Sequence, residues 1–204
     1  MRIPLVTPFG VRALVVTSNV LVIHMAVIAD IGGQLDEVSG NVAVSRLVAD
    51  LKSDDVDVRR NAAERISQHG GDLCAVSVEL VEACADEDEE VREWVVTALE
   101  ELKQPAESDL QDLADLLAND SDDVGYWAAT LIGRLGKAAL PAVPALVAAL
   151  ADTQGLLTQQ RAAWALGKIG RKAVDALPAL EKAAASQNAR LSRLATGAIE
   201  GIRG

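Results

Sequence analysis

Two periods organise the apolar and polar positions of this chain. The shorter is helical. Leu47, Val48 and Leu51, then Leu80 and Val81, then Leu113, Leu116 and Leu117, then Leu146, Val147 and Leu150 follow the i, i+3, i+4 spacing of one helix face. The longer is a repeat. The leucines that open successive apolar runs stand at Leu47, Leu80, Leu113, Leu146 and Leu180, spacings of 33, 33, 33 and 34 residues. Self-similarity at a fixed period of this size marks a repeat architecture. The extra residue falls in the loop around Asp152 to Leu157, where an insertion costs little.

Each unit has the same internal plan. After the first apolar run comes an acidic turn, at Ser53-Asp54-Asp55, Asp86 to Glu90 and Asn119 to Asp123. A second helix follows, with Ala62-Ala63-Ile66, Val95-Val96-Leu99, Ala128-Ala129-Ile132 and Ala162-Ala163-Leu166 on its apolar side. Gly70, Gly136 and Gly170 suit the left-handed residue that closes a helix, and Pro141, Pro144 and Pro178 lie where a helix start tolerates proline. The pattern predicts an all-α, right-handed α-solenoid of five antiparallel helix pairs over residues 47–204, preceded by a non-repeat segment at 1–46. One pair cannot bury its apolar stripe alone, and stacking supplies the missing surface. Small core residues with 2% aromatics predict close helix approach.

The motifs Asp57-Val58-Arg59-x-x-Ala62-Ala63, Glu90-Val91-Arg92 and Arg161-Ala162-Ala163-Trp164-Ala165-Leu166-Gly167-Lys168-Ile169-Gly170 resemble the short HEAT-like repeats named after phycobiliprotein lyases. The ankyrin Thr-Pro-Leu-His and tetratricopeptide signatures are missing. Repeats three and five depart from the Val-Arg pair, with Val124-Gly125 and Leu191-Ser192. The resemblance implies an armadillo-like helical fold and a binding habit. It does not imply the lyase reaction.

The segment 1–46 admits three readings. From Ala13 to Ala29 there is no charge, Arg2 and Arg12 precede the run, and Val27-Ile28-Ala29 is a passable cleavage site, as in a signal peptide of an exported protein. Alternatively translation starts at Met25 and the protein is cytoplasmic, or the segment is a helix that caps repeat one. A membrane span fits less well, since the run has 17 residues against the ~20 required and contains Thr17, Ser18, Asn19 and His24. Cys74 and Cys84 are expected on one helix about 15 Å apart, too far for a disulfide, which suits a reducing compartment.

Charge is unevenly spread. Residues 47–120 hold 21 acidic against six basic side chains, a balance of −15, whereas 121–204 hold six against ten, a balance of +4. The overall charge of −11 argues against nucleic acid as the main partner.

The rare aromatic residues concentrate on the second helices. Trp94 and Trp127 share one repeat position, Trp164 lies a turn further, and Tyr126 adjoins Trp127. The same line carries Asn61 and Glu64, Glu101, then Arg134, Arg161 and Lys168. Because Ala, Val and Ile already account for the buried stripe, the line is expected beside it, toward the concave surface that solenoids use for binding. On this reading Trp94, Trp127, Trp164 and Tyr126 are apolar anchors for a protein or peptide. Arg134, Arg161, Lys168 and Arg193 would pair with its carboxylates, and Glu64, Glu93 and Glu101 with its basic groups. The alternative is that the rings fill grooves between repeats.

Little points to catalysis. His24 and His69 are the only histidines, and there is no His-Glu pair, Cys-x-x-Cys, Gly-x-Ser-x-Gly or glycine-rich phosphate loop. HEAT-like hydroxylases need paired His-Glu motifs, which this chain lacks. The run Asp86 to Glu90 has no EF-hand ligand pattern and reads as helix capping. No cofactor or metal is expected. The sequence predicts a non-enzymatic scaffold or adaptor, with a tetrapyrrole-lyase-like or ligand-binding accessory protein as the alternative.

Overall fold

A computed structural model describes residues 43–151 and 155–204. The readings that rest on the run Ala13 to Ala29 and on Met25 lie outside the described residues. Within them the repeats appear as five helix pairs. These are α1 (43–50) with α2 (Val56–Ser67), α3 (Ser77–Ala83) with α4 (Glu89–Glu101), and α5 (Leu110–Leu116) with α6 (Asp122–Leu135), followed by α7 (Val143–Ala148) with α8 (Leu156–Ile169) and α9 (Leu177–Ala184) with α10 (Ala189–Arg203). Second helices pack on one another in one layer and the short first helices in another, the arrangement of an α-solenoid. Between the layers lie the leucines that open the repeats, Leu80, Leu113, Leu146 and Leu180, all inaccessible to solvent.

Small residues set how closely the second helices approach. A Cβ on Gly125 would collide with Thr158 of the next helix, and one on Gly167 would press on the backbone of Ala198. These contacts draw α8 against α6 and α10 against α8. Among the described residues the apolar stretch Asp122–Ala148 is long enough by length and composition to cross a membrane, but it packs into the array. It breaks at Gly136 into α6, a 3₁₀ turn and α7, and most of α6 is buried.

Helix ends follow the sequence chemistry, with two refinements. Asp55 and Asp88 cap α2 and α4, accepting from the backbone N–H groups of Asp57 and Val91. In repeat three, however, Asp122 caps the following repeat's helix. Its carboxylate accepts from Thr158 N at 2.8 Å and Leu157 N at 3.1 Å, which explains how α8 starts without an acidic turn of its own. The three glycines do have positive φ, but Gly136 (φ 57°, ψ −123°) and Gly170 (φ 74°, ψ −146°) occupy the region open essentially to glycine alone, rather than the left-handed helical well. Pro144 and Pro178 sit in the first turns of α7 and α9. Cys74 lies in the 3₁₀ turn before α3 rather than on it, Cys84 is buried at its end, and both thiols are free.

The position of the Val-Arg arginine clamps the turn inside four of the five repeats. Arg59 Nη1 donates to Ser53 O at 3.0 Å, and Arg92 Nη1 donates to Asp86 O at 2.7 Å. Where the arginine is replaced, Gln159 and Ser192 reach the carbonyls of Ala151 and Ala184 instead. Only Gly125 of repeat three forgoes the clamp, and it admits Thr158 in exchange. Arg59 and Arg60 also tie repeat one to repeat two by forked pairs, onto Asp86 (2.8 and 3.2 Å) and onto Asp88 (3.0 and 2.6 Å).

One junction differs. α2 packs on α4, α6 on α8 and α8 on α10, but α4 and α6 barely approach each other. A side chain spans that gap. Arg134, near the end of α6, donates from Nη1 to Leu99 O at 2.8 Å and to Leu102 O, the last carbonyls of α4.

Candidate partner-binding surface

The second helices bring most of the expected residues onto one row. On α6 and α8 the rings and cations interleave. Arg161 stacks on Tyr126 at 4.5 Å and on Trp164 at 5.3 Å, donates from Nη2 to the Tyr126 hydroxyl, and leaves its buried Nε without an acceptor among the described residues. Lys168 Nζ also lies over the Trp164 ring, 5.5 Å from its centroid. Tyr126 meets Trp127 edge-on at 5.4 Å, and Arg134 lies 5.8 Å from the Trp127 ring. The row runs Arg134, Trp127, Tyr126, Arg161, Trp164, Lys168. Each cation faces an aromatic quadrupole, so the rings fix the cations' directions without neutralising them.

Solvent reaches these residues unequally, and this divides them. Trp94, Tyr126 and Trp164 are half-buried, and Lys168 is exposed. Trp127 is only 6% exposed, so its ring is core and offers little to a partner. It lies on the same side of α6 as Arg134, beside the gap to α4. Arg134 is likewise committed, to the α4 carbonyls, and burial first and the Arg161 charge second hold its pKa below the usual value. The groove-filling reading thus describes Trp127. Trp164 combines both roles. One edge lies where a Cβ on Gly133 would be, and the residue as a whole is half-buried.

The acidic members lie apart from that row. Glu64 is half-buried on α2, where it accepts from Gln68 Nε2 at 3.2 Å, while Glu93 and Glu101 are exposed on α4. Arg193 is exposed on α10. Sequence reasoning missed Gly133 as the seat of Trp164, and Arg161 as the link between Tyr126 and Trp164. Both relations join residues one repeat apart, and nothing local to either residue signals them. No group of His, Cys, Asp or Glu among the described residues is arranged to hold a metal.

The HEAT-repeat profile matches residues 44–131 and 110–200, which together span most of the chain. The chain belongs to the HEAT-repeat family. No curated protein sequence matches it. Among solved structures, this HEAT array is similar to the complex of CpcE and CpcF of phycocyanin lyase from Nostoc sp. (TM-score 0.57, 22% identity, 78% of this chain and 64% of that one). It is also similar to a designed armadillo repeat protein in complex with the peptide (KR)4 (TM-score 0.53, 22% identity, 83% and 86%). An engineered protein matches as well, with TM-score 0.53 and 22% identity over 78% of this chain and 79% of that one. At these identities the likeness is one of fold.

Proposed function

We propose that this HEAT array is a non-enzymatic scaffold that binds a protein or peptide along the concave row of its second helices. The observation that carries this reading is the half-buried aromatic and cation row of Tyr126, Arg161, Trp164 and Lys168, and Trp94 is likewise half-buried on α4. Rings this large, held rigid by stacked cations and left partly wet in a chain with few aromatics, are the groups that dominate interfaces. The partner's carboxylates would meet Lys168 and Arg193, and its basic groups Glu64, Glu93 and Glu101. Two proteins of similar fold are described with a protein or peptide partner, which supports the class of partner and not its identity.

The test is affinity capture from native lysate with wild type and with Trp94→Ala/Trp164→Ala. Trp127 is left intact so that loss of capture cannot come from a damaged core. The reading predicts a protein held by wild type and lost by the variant. The same set captured by both would remove the row from the function.

A further inference from the structure

Repeat one and repeat two enclose a groove, and at the corresponding place one repeat later an arginine binds the carbonyls that end the preceding second helix. The groove has a volume of about 730 Å³ and lies between the loops that follow α2 and α4. That is within the range of ligand clefts, ~300–1,000 Å³. At the next junction Arg134 closes the end of α4 through Leu99 O and Leu102 O. Subtracting the repeat period of 33 from these numbers gives Glu101, Ile66 and His69. Ile66 and Glu101 both line the groove. The end of α2 therefore faces a cleft that carries a carboxylate at the position where repeat three has Arg134.

We propose that this groove binds an arginine side chain of the partner, seated at the end of α2 as Arg134 is seated at the end of α4. The proposal rests on the reading of the array as a protein- or peptide-binding scaffold, and it names a second contact away from the aromatic row. The chemistry matches at both ends of such a side chain. Ile66, Leu73, Leu102 and Pro105 offer an apolar wall to its methylene stem. The negative end of the α2 dipole, with the carboxylates of Glu101 and Asp72, meets the guanidinium. Asp72 already accepts from the backbone N–H of Cys74 at 2.9 Å and from its thiol at 3.2 Å, which fixes the carboxylate in place. Lys103 is the one opposing charge in the lining; it is exposed, and its charge acts on Asp72, so an incoming guanidinium competes with it for that carboxylate. The groove belongs to the half of the array with the balance of −15, so the long-range field also draws a basic segment toward it.

The experiment titrates isotope-labelled full-length protein with an acetylated Gly-Arg-Gly-Arg-Gly amide and with the same peptide carrying citrulline, which keeps the shape and removes the charge. The arginine peptide is expected to shift the backbone amides of Gly70, Gly71 and Lys103, and the citrulline peptide to leave them still. Glu101→Gln should weaken the arginine peptide roughly ten-fold, the scale of one charge-assisted hydrogen bond. Glu101→Arg should place a guanidinium in the groove from within, raising the melting temperature and abolishing the shifts. Equal shifts with both peptides, or unaltered binding to Glu101→Arg, would overturn the proposal. Shifts confined to the Trp94 and Trp164 indoles would overturn the groove and leave the aromatic row standing. Failure of the row itself is read separately, by the capture comparison with Trp94→Ala/Trp164→Ala.

Discussion

The aromatic residues of this array divide by what covers them. Trp127 is sealed beneath its neighbours, whereas Trp94 and Trp164 are only half-buried. Truncating a sealed ring leaves a cavity, so Trp127→Ala should lower the unfolding free energy by roughly 3 kcal/mol or more, measured by urea denaturation. An unchanged midpoint would mean that the ring is not core. Position along the repeat could not distinguish these residues, because Trp94 and Trp127 are equivalent by number. The difference arises from what lies across the interface, where α6 is the most enclosed helix and α4 ends beside a gap. Cysteine accessibility follows the same logic. Burial pushes the Cys84 thiol up to about 12, and it should stay unreactive toward alkylating reagents until the chain unfolds.

At the scale of elements, helix ends decide where one repeat stops and the next begins. Gly170 closes α8 with φ 74° and ψ −146°, and a Cβ there would touch nothing within 4 Å. Any penalty on substitution is therefore pure backbone strain. Gly170→Ala should cost roughly 1–3 kcal/mol, and Gly170→Asn should be no better, since asparagine tolerates the left-handed helical well but not this region. Equal stability of all three would show that the turn relaxes. The N-terminal ends make a different claim, about acid. Asp88 caps α4 and holds the forked Arg60, and that hydrogen-bonded pair, more than any other contact, lowers its pKa to about 2. The folded-state value lies below that of an unfolded aspartate, near 3.9. Its contribution is therefore complete above about pH 4 and is lost as pH falls toward 2. Stability curves of wild type and Asp88→Asn should converge over that window, and a constant difference down to pH 2 would refute the assignment. The acidic turns were legible as caps, because a carboxylate at a helix start has a local physical reason. Asp122 acting on the helix of the next repeat was not, since that helix begins 34 residues later.

Over the described residues the array is a row of nearest-neighbour interfaces, and the second helices approach least closely between repeats two and three. There the second helices barely meet, and Arg134 spans the gap onto the α4 carbonyls. Stability in such arrays is approximately a sum of repeat and interface terms, so one interface can fail alone. Arg134→Ala should cost roughly 1.5–3 kcal/mol and split the unfolding transition, with amides of α2 and α4 exchanging before those of α6 to α10. A single, merely shifted transition would show that the junction is held otherwise. The period of 33, the five pairs and the small-residue core were readable because each repeat states them again. The gap was not, because it is the junction at which the repetition lapses. Repeat three lacks its Val-Arg clamp, and Arg134 stands where repeat two has Glu101.

The central claim is that partners are held by the second-helix row, and site-specific photo-crosslinking tests it most directly. A benzophenone amino acid would replace Trp94 or Trp164 in one pair of proteins, and the exposed first-helix residue Gln111 in a control. The account predicts one crosslinked species from both tryptophan positions and none from the control. The same species from Gln111 and not from the tryptophan positions would place binding on the opposite layer and contradict it.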